Sequence, residues 1–246
     1  MSIWKPPSMW KNGTCWIIGG GPSILNQFDV PKELQDKFKK RLIPLSELSN
    51  YLKALHDKHI IGINLAYTIG NWIDIVFFGD GQWFLHHRQA LANFNGLKVS
   101  CSPRFKDWPD GNSERIKFMA RNHERVEGIT DIRGYVSWNR NSGAASISLA
   151  QQLGVDRIIL LGFDMTTDAE QDTHWHGRHW EKRGGPFDPK GNLITLKKPT
   201  ALPYERHLEG FPKIALDAER LNLEIINANP NSEIDAFPKY NVKDLL

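Results

Sequence analysis

Short apolar runs alternate along the chain with longer stretches in which apolar residues recur every three or four positions. The short runs are rich in β-branched and aromatic residues and predict strands at residues 14–18, 60–63, 73–78, 97–101, 157–161 and 223–227. The longer stretches predict helices at residues 32–40, 46–57, 82–93, 141–154 and 204–221. This alternation predicts an α/β fold: a Rossmann-like, doubly wound and mostly parallel sheet with helices on both faces.

The clearest local signals fall in residues 141–165. Asn141 and Ser142 offer side-chain oxygens that can cap a helix, and Gly143 permits close packing at its start. The predicted helix is followed by an apolar run that is typical of a strand covered on both faces. Asp164 comes directly after that strand. Because open α/β sheets bind ligands at the carboxyl ends of their strands, we expect Asp164 at the edge of a ligand site.

A glycine-rich turn follows the first predicted strand. It consists of Gly19, Gly20, Gly21, Pro22 and Ser23. Glycines let backbone N–H groups approach an anion, Pro22 suits the first turn of a helix, and Ser23 adds a hydroxyl, so the turn can hold a phosphate. The turn lacks the third glycine of the dinucleotide-binding motif and the lysine of the Walker A motif. A plain strand-to-helix connection is therefore the alternative interpretation.

Polar residues also end the second and third predicted strands. Asn64 follows one of these strands and Asp80 follows the other. Right-handed crossovers bring the carboxyl ends of parallel strands to one edge of a sheet. Asn64, Asp80 and the predicted helix start at Asn141 and Ser142 should therefore lie beside Gly20 and Asp164.

Three histidines and an arginine fall within the short segment HWHGRH. His174, His176 and His179 carry imidazoles whose unperturbed pKa, about 6.5, suits proton transfer near neutral pH. A general base or a phosphate contact is one interpretation. A zinc site with acidic residues folded back from positions 168–172 is a second, and a surface loop is a third. Glycine, proline and lysine are frequent nearby, so residues 166–203 predict a flexible lid.

Composition narrows the class of protein. With 246 residues, of which 40% are hydrophobic and 24% charged, we expect one domain covering residues 1–246. The net charge of +3 is too small to indicate nucleic-acid binding. Cys15 and Cys101 stand in or beside apolar runs and predict small core residues in a reducing compartment. No apolar stretch approaches the roughly 18 residues of a membrane span, so a cytoplasmic location is expected.

Tryptophan is unusually frequent, with 9 residues. Several of them stand in polar surroundings, among them Trp83, Trp138 and Trp175. Such positions fit contacts with a ligand or packing beneath a lid as well as core packing.

Four sequence blocks carry a resemblance to a known family. They are GGGPSI at 19–24, Asn64, NSG with LGVDRIILLGFDM within 141–165, and ANPNSEIDAF at 228–237. On these blocks the chain resembles the bacterial sialyltransferases of glycosyltransferase family 42. It also resembles the related DUF115 group, which includes Maf flagellin-modification proteins and archaeal pterin pyrophosphokinases. The HWHGRH segment stands where the sialyltransferases have a short histidine-containing segment. The arrangement is also similar to phage and prophage proteins, so a phage source is expected.

The resemblance implies a role for each block. The glycine turn and Asn64 would contact a donor nucleotide, while Ser142 and Gly143 would bind its phosphate or ribose. His176 or His179 would be the general base that deprotonates an acceptor hydroxyl, with His174 as a further candidate. The residues assigned to nucleotide binding are Gly19, Gly20, Gly21, Pro22, Ser23, Asn64, Asp80, Asn141, Ser142, Gly143, Asp164, Asn231 and Ser232.

The chain departs from the family at two places. Gly20 stands where the family has asparagine, and Met165 and Thr166 stand where an aromatic pair is expected. Both changes remove groups that would support a leaving phosphate. The resemblance therefore does not identify CMP-sialic acid as the donor.

The resulting hypothesis is a metal-independent glycosyltransferase that needs no cofactor. It would transfer a sugar from a nucleotide-sugar donor to a glycan, a protein or modified DNA, in the cytoplasm of a host cell if a phage encodes it. One alternative is a pyrophosphokinase, in which Asp80 or Asp164 would hold Mg²⁺ with a triphosphate. Another is a non-catalytic nucleotide-binding protein. The sequence leaves open whether the chain forms a homo-oligomer.

Overall fold

The computed structural model describes residues 1–110, 112–177, 185–195 and 201–246. Its centre is a seven-stranded sheet whose strands all run parallel, in the order β5-β4-β3-β2-β1-β8-β9. The strands of this sheet are β1 (Thr14–Ile18), β2 (His59–Ile63), β3 (Ile75–Phe78), β4 (Leu97–Ser100), β5 (Ile116–Phe118), β8 (Arg157–Leu161) and β9 (Glu224–Asn227). A separate parallel pair is formed by β6 (Ala120–Arg121) and β7 (Tyr135–Val136). The parallel α/β fold predicted from the alternating pattern is confirmed.

Helices cover both faces of the sheet. They are α1 (Ser23–Gln27), α2 (Lys32–Lys39), α3 (Gly81–Leu91), α4 (Ser142–Gln152), α5 (Tyr204–Leu208) and α6 (Phe211–Arg220). Short 3-10 helices lie at Leu45–Asn50, Lys53–Leu55, Asn64–Ile69, Pro103–Phe105 and Val242–Asp244. None of the helices in these described ranges is long and apolar enough to span a bilayer.

Two of the predicted helices take a different form. The stretch predicted as one helix at 46–57 consists of two 3-10 helices. Leu45 and Leu48 of the first helix are buried, as are Leu52, which directly precedes the second helix, and Leu55 within it. The leucines of each pair are three residues apart, a spacing that a 3-10 helix places on one side. The helix predicted at 204–221 is divided into α5 and α6, because Pro212 occupies the first turn of α6.

Alternation along the strands builds a core on each face. Cys15 and Ile17 of β1 belong to the cluster that contains residues of α4 and α6. Trp16 and Ile18, which point the other way, belong to the cluster that contains residues of α1, α2 and α3. Because both faces are covered, the central strands are apolar at nearly every position.

The order of the strands determines where a ligand site is expected. The chain builds β2 to β5 outward on one side of β1 and then places β8 and β9 on the other side. The direction of winding therefore reverses between β1 and β8. The crevice outside the carboxyl ends of two such strands is the usual ligand site in open α/β sheets. Gly19 follows β1 there, and Gly162 follows β8.

The single domain and the lid at 166–203 stay predictions. Residues 178–184 and 196–200 of the predicted lid lie outside the described residues. Between them, Phe187 and Leu193 pair in an antiparallel bridge and are both exposed. Asp188 stabilises this short hairpin by accepting backbone hydrogen bonds from Lys190 and Asn192.

Candidate functional site

A cavity of about 540 Å³ opens at the carboxyl edge of the sheet, where the winding reverses. Most residues that the sequence assigned to nucleotide binding line it. These are Gly19, Gly20, Gly21, Asn64, Asp80, Asn141, Ser142, Gly143 and Asp164. His174 and His176 also line the cavity, whereas His179 lies outside the described residues. The strand-end residues are thus brought together as the crossover rule predicts.

Asp164 is a buried carboxylate that ties the two central strand ends together. Its Oδ2 accepts a hydrogen bond from the amide of Ser23 at 2.8 Å, and its Oδ1 accepts one from the Ser23 hydroxyl at 2.6 Å. Asn229 donates a third, also to Oδ1, at 2.9 Å. Burial raises the pKa of Asp164, although these hydrogen bonds oppose the shift. Asp164 therefore takes the place at the start of α1 that the sequence assigned to a phosphate.

Four of the assigned residues do not line the cavity: Pro22, Ser23, Asn231 and Ser232. The Ser23 hydroxyl donates to Asp164, and the Ser232 hydroxyl donates to the carbonyl of Phe163 at 2.7 Å. Ser232 is buried, and the side chain of Asn231 is exposed. The asparagine that reaches the site region is Asn229, which follows β9 closely. The rule that strand ends build the site would have selected Asn229 ahead of Asn231.

Trp175 anchors the histidine segment to the glycine turn. Its side chain is fully buried, and its Nε1–H donates to the carbonyl of Gly19 at 3.0 Å. The backbone amide of Trp175 donates to the carbonyl of Gly20 at 3.0 Å. His174 and His176 on either side of the tryptophan have ring centroids 4.9 Å apart. The segment therefore packs on the turn and carries two imidazoles into the cavity wall.

The two imidazoles have different surroundings. Nδ1 of His174 lies 2.7 Å from the hydroxyl of Thr173. Nδ1 of His176 is buried, and the Nε–H of Arg41 donates to the backbone carbonyl of His176 at 2.9 Å. Burial lowers the pKa of His176 well below 6.5, and the nearby charges of His174 and Arg41 lower it further. His176 is therefore a neutral imidazole at physiological pH.

A buried lysine fixes the chain just before the histidines. Lys39 of α2 is only 7% exposed and forms ion pairs with Asp168, Asp172 and Glu170. Burial alone would lower the pKa of Lys39, but the hydrogen bond and charge of Asp168, with the charge of Asp172, raise it. The acidic residues that the zinc interpretation required are thus bound to a lysine.

Asn141 caps α4 as predicted. Its Oδ1 accepts hydrogen bonds from the amides of Gly143 at 2.8 Å and Ala144 at 3.4 Å. The hydroxyl of Ser142 accepts one from the amide of Gly79, at the end of β3, at 3.2 Å. Gly143 admits the ring of Phe163, since a Cβ there would lie 2.8 Å from a ring carbon. The start of α4 is thereby joined to the ends of β3 and β8.

Two tryptophans form the wall beyond β3. Trp138 packs on Gly79, where a Cβ would lie only 2.2 Å from the ring. The guanidinium of Arg121 stacks 3.6 Å from the centroid of Trp138. Trp83, in the first turn of α3, stacks on His87 with ring centroids 4.5 Å apart. Both indoles line the cavity, and these contacts hold them in place.

Helix α5 contributes two residues to the cavity wall that were not predicted from the sequence. Tyr204 and His207 both line the cavity and are three residues apart, so they share one side of the helix. Burial raises the pKa of Tyr204 to about 12, and Asp164 and Asp168 contribute. Burial and then Arg206 lower the pKa of His207. The spacing of the pair within a predicted helix was the available signal.

Several buried polar atoms of cavity-lining residues have no hydrogen-bond partner among the described residues. In the part of the chain that the structure describes, these are Oδ1 of Asn64, Nε1 of Trp83, Nδ1 of His176 and the hydroxyl of Tyr204. Buried polar groups in folded proteins are nearly always hydrogen-bonded to protein, water or ligand. Four such atoms around one cavity indicate a site for a polar molecule.

Two charged side chains of the cavity, Asp80 and Arg140, already have partners within the protein. Asp80 caps α3 by accepting a hydrogen bond from the amide of Gln82 at 2.8 Å. Arg140 forms an ion pair with Glu209 at 2.6 Å. Within the described ranges, no three histidine, cysteine, aspartate or glutamate side chains are grouped so as to hold a metal ion.

Comparison with known proteins gives one result. No protein-family model matches the chain, and no curated protein matches it. Among solved structures, it is similar to one described as the sialyltransferase CstII from Campylobacter jejuni in complex with a substrate analogue, cytidine-5'-monophosphate. The two are 12% identical, the match covers 92% of this chain and 84% of the other, and the TM-score is 0.45.

Proposed function

We propose that the chain is a transferase that binds a nucleotide-sugar donor in the cavity between the ends of β1 and β8 and transfers the sugar to an acceptor hydroxyl. The observation that carries the proposal is a set of four buried polar atoms around a cavity of about 540 Å³ that have no partner among the described residues. That volume lies within the usual range for small-molecule sites, and its position is the one at which doubly wound sheets bind nucleotides.

The wall of the cavity divides into three parts. Trp83, Trp138 and Asn64 offer flat surfaces and an amide, which suit a nucleoside. The glycine turn, with the histidine segment packed on it, suits a phosphate. Helix α5 carries Tyr204 and His207 and suits an acceptor hydroxyl. The nucleoside, the phosphate and the acceptor hydroxyl would thus each contact a different part of the cavity wall.

His207 is the residue that we propose as the general base. A general base works best when its pKa lies near the working pH. The pKa of His176 is far below that range, whereas the pKa of His207 is lowered less. His207 would accept the proton of the acceptor hydroxyl, whose oxygen attacks the anomeric carbon. The bond from that carbon to the phosphate oxygen breaks, and the nucleotide leaves with the electron pair.

The contacts of Asp164 favour this reaction over the pyrophosphokinase alternative. Both carboxylate oxygens of Asp164 accept hydrogen bonds from Ser23, and one also accepts from Asn229. These three hydrogen bonds leave the carboxylate about one acceptor position for a magnesium ion. The cation of Arg140 is paired with Glu209. The described wall therefore suits a donor with one phosphodiester charge better than a triphosphate.

The proposal is tested by following the release of nucleotide from a panel of nucleoside-monophosphate and nucleoside-diphosphate sugars, with and without Mg²⁺. Water serves as the acceptor where none is known. We expect slow hydrolysis of at least one donor without Mg²⁺. In His207→Ala the rate should fall about 100-fold or more while donor binding persists. His123→Ala, which changes an exposed histidine, is the matched control.

The outcomes separate the alternatives. Binding of a nucleotide with no turnover of any donor would favour the non-catalytic protein. A response to ATP that strictly requires Mg²⁺ would favour the pyrophosphokinase. Full activity in His207→Ala would remove His207 as the base and return the role to His174, His176 or His179.

A further inference from the structure

The glycines of the turn are not required by backbone conformation. Gly19, Gly20 and Gly21 are absent from the glycines with positive φ. Each of them instead allows a close approach. A Cβ at Gly20 would lie 2.6 Å from Cδ2 of His174, and one at Gly21 would lie 2.4 Å from Oδ2 of Asp164. Gly20 is therefore needed to leave room for the imidazole of His174, and not to allow a left-handed backbone conformation.

Three of the amides that could cradle a phosphate at this turn are already engaged. The amide of Gly19 donates to the last carbonyl of β8, and that of Gly21 donates to the carbonyl of Gly162, each at 2.8 Å. The amide of Ser23 donates to Asp164. The turn is thus held to β8 by the same groups that a phosphate-binding turn directs at its ligand.

Backbone amides at the start of α4 are also already hydrogen-bonded within the protein. The amides of Gly143 and Ala144 donate to the side chain of Asn141, and the amide of Ala145 donates to its carbonyl at 2.9 Å. A helix start whose amides are capped in this way offers little to an anion. With these amides engaged, side chains beside the turn are the further donors that a phosphate could use.

Imidazoles are the donors that the fold places beside the turn. His174 packs on Gly20, and His176 lies beside it with a buried Nδ1 that has no partner among the described residues. Trp175 fixes both rings through its bonds to Gly19 and Gly20. The ring positions are thus determined by the turn itself.

We propose that the neighbouring imidazoles of His174 and His176 bind the phosphate of the nucleotide, in place of the amides of the glycine turn that are already engaged. The ligand class is a nucleotide phosphomonoester or phosphodiester. This inference rests on the proposed function, because it assumes that the cavity holds a nucleotide. It also gives Gly20 a role, which is to leave room for His174.

The test compares each nucleoside monophosphate with its own nucleoside. Affinities are measured by titration calorimetry for the cytidine, uridine, guanosine and adenosine pairs, and the pair that binds best is then used. Wild type should bind the nucleotide more tightly than the nucleoside. His174→Ala and His176→Gln should each weaken nucleotide binding about tenfold or more, as expected for hydrogen bonds to a charged group, and leave nucleoside binding unchanged.

Gly20→Ala gives an independent measurement. Its methyl group occupies the space of the His174 ring, so it should weaken nucleotide binding in wild type. In the His174→Ala background, the same change should have little further effect. His123→Ala is the control for a surface histidine and should match wild type. If His176→Gln fails to fold, His174→Ala and Gly20→Ala still decide the question.

Failure of this inference is distinct from failure of the proposed function. If both His174→Ala and His176→Gln keep the full preference for nucleotide over nucleoside, the imidazole pair is overturned while the nucleotide site stands. Equal further weakening by Gly20→Ala in wild type and in His174→Ala would also contradict it. A wild type that binds no nucleotide overturns the proposed function, and the phosphate site with it.

Discussion

The burial of His176 makes the free energy of unfolding depend on pH. Burial holds its pKa well below 6.5, and His174 and Arg41 add to the shift. In the unfolded chain the same imidazole titrates near pH 6.5. Below that pH the unfolded chain binds a proton that the folded protein does not bind. The free energy of unfolding should therefore fall as pH falls below 6.5 and be fully retained above it.

We predict that His176→Gln reduces this loss of stability. Because one proton is involved, the difference approaches about 1.4 kcal/mol per pH unit below 6.5, down to the folded pKa. Urea unfolding at pH 7.5 and 5.5 measures it. His207, whose pKa is also lowered, contributes a further loss of stability at low pH, and His176→Gln retains this loss. His123→Gln serves as control, and an unchanged slope in His176→Gln would refute the burial argument.

Trp175 is the residue on which the position of the histidine segment depends. Trp175→Phe keeps most of the buried ring but loses the N–H bond to the carbonyl of Gly19, which remains in the interior. We predict a loss of about 1–2 kcal/mol in the free energy of unfolding, measured in urea. Trp175→Ala should cost about 3–5 kcal/mol because it also leaves a cavity. Equal stability of Trp175→Phe and wild type would mean that the hydrogen bond contributes nothing.

At the scale of residues, the sequence identified strand-end positions but not their partners. Asn64, Asp80, Asn141 and Asp164 were predicted at one edge because the winding of a parallel sheet places them there, and all four line the cavity. Their hydrogen bonds depend on tertiary contacts. Whether Asp164 faces a ligand or caps α1 is decided by Ser23, which lies 141 positions earlier in the chain. No local pattern carries that information.

At the scale of elements, helix α2 and the segment before the histidines form one unit. Lys39 is joined to three carboxylates of residues 168–172, and Lys37 on the same helix forms an exposed pair with Glu33. Removing a partner from a buried ion pair leaves an uncompensated charge, whereas an exposed pair contributes little. The two lysines therefore offer a matched comparison.

We predict that Lys39→Met lowers the free energy of unfolding by about 3 kcal/mol and speeds hydrogen exchange at the amides of residues 173–177. Lys37→Met should change stability by less than about 1 kcal/mol and leave that exchange unaltered. Exchange is followed by mass spectrometry of peptides from this segment. Unchanged protection of residues 173–177 in Lys39→Met would show that the segment is held by Trp175 alone.

Elements were predictable where the apolar period was strong. The strands at 14–18 and 157–161 agree with the structure because short apolar runs rich in β-branched residues are typical of strands buried on both faces. The helix predicted at 46–57 is two 3-10 helices, and periodicity over so few leucines does not separate a spacing of three from one of three and four. Pro212 already indicated in the sequence that the helix predicted at 204–221 would be divided.

At the scale of the whole molecule, the alternating pattern predicted the parallel sheet, but it did not give the strand order. That order, with β1 central and the winding reversed toward β8, follows from pairings between distant parts of the chain. It creates the crevice into which the glycine turn, the histidine segment and α5 all project. The expected phage source and relation to the DUF115 group stay predictions.

The most direct test of a nucleotide site in this crevice is hydrogen exchange with and without a saturating nucleotide. We predict slower exchange, on binding, in four segments that contribute residues to the cavity wall. These are residues 19–21, 63–65, 138–143 and 173–177. Peptides covering Val242–Asp244, which contribute nothing to the cavity wall, should be unaffected. Protection confined to other segments, or no protection by any nucleotide at millimolar concentration, would contradict the account.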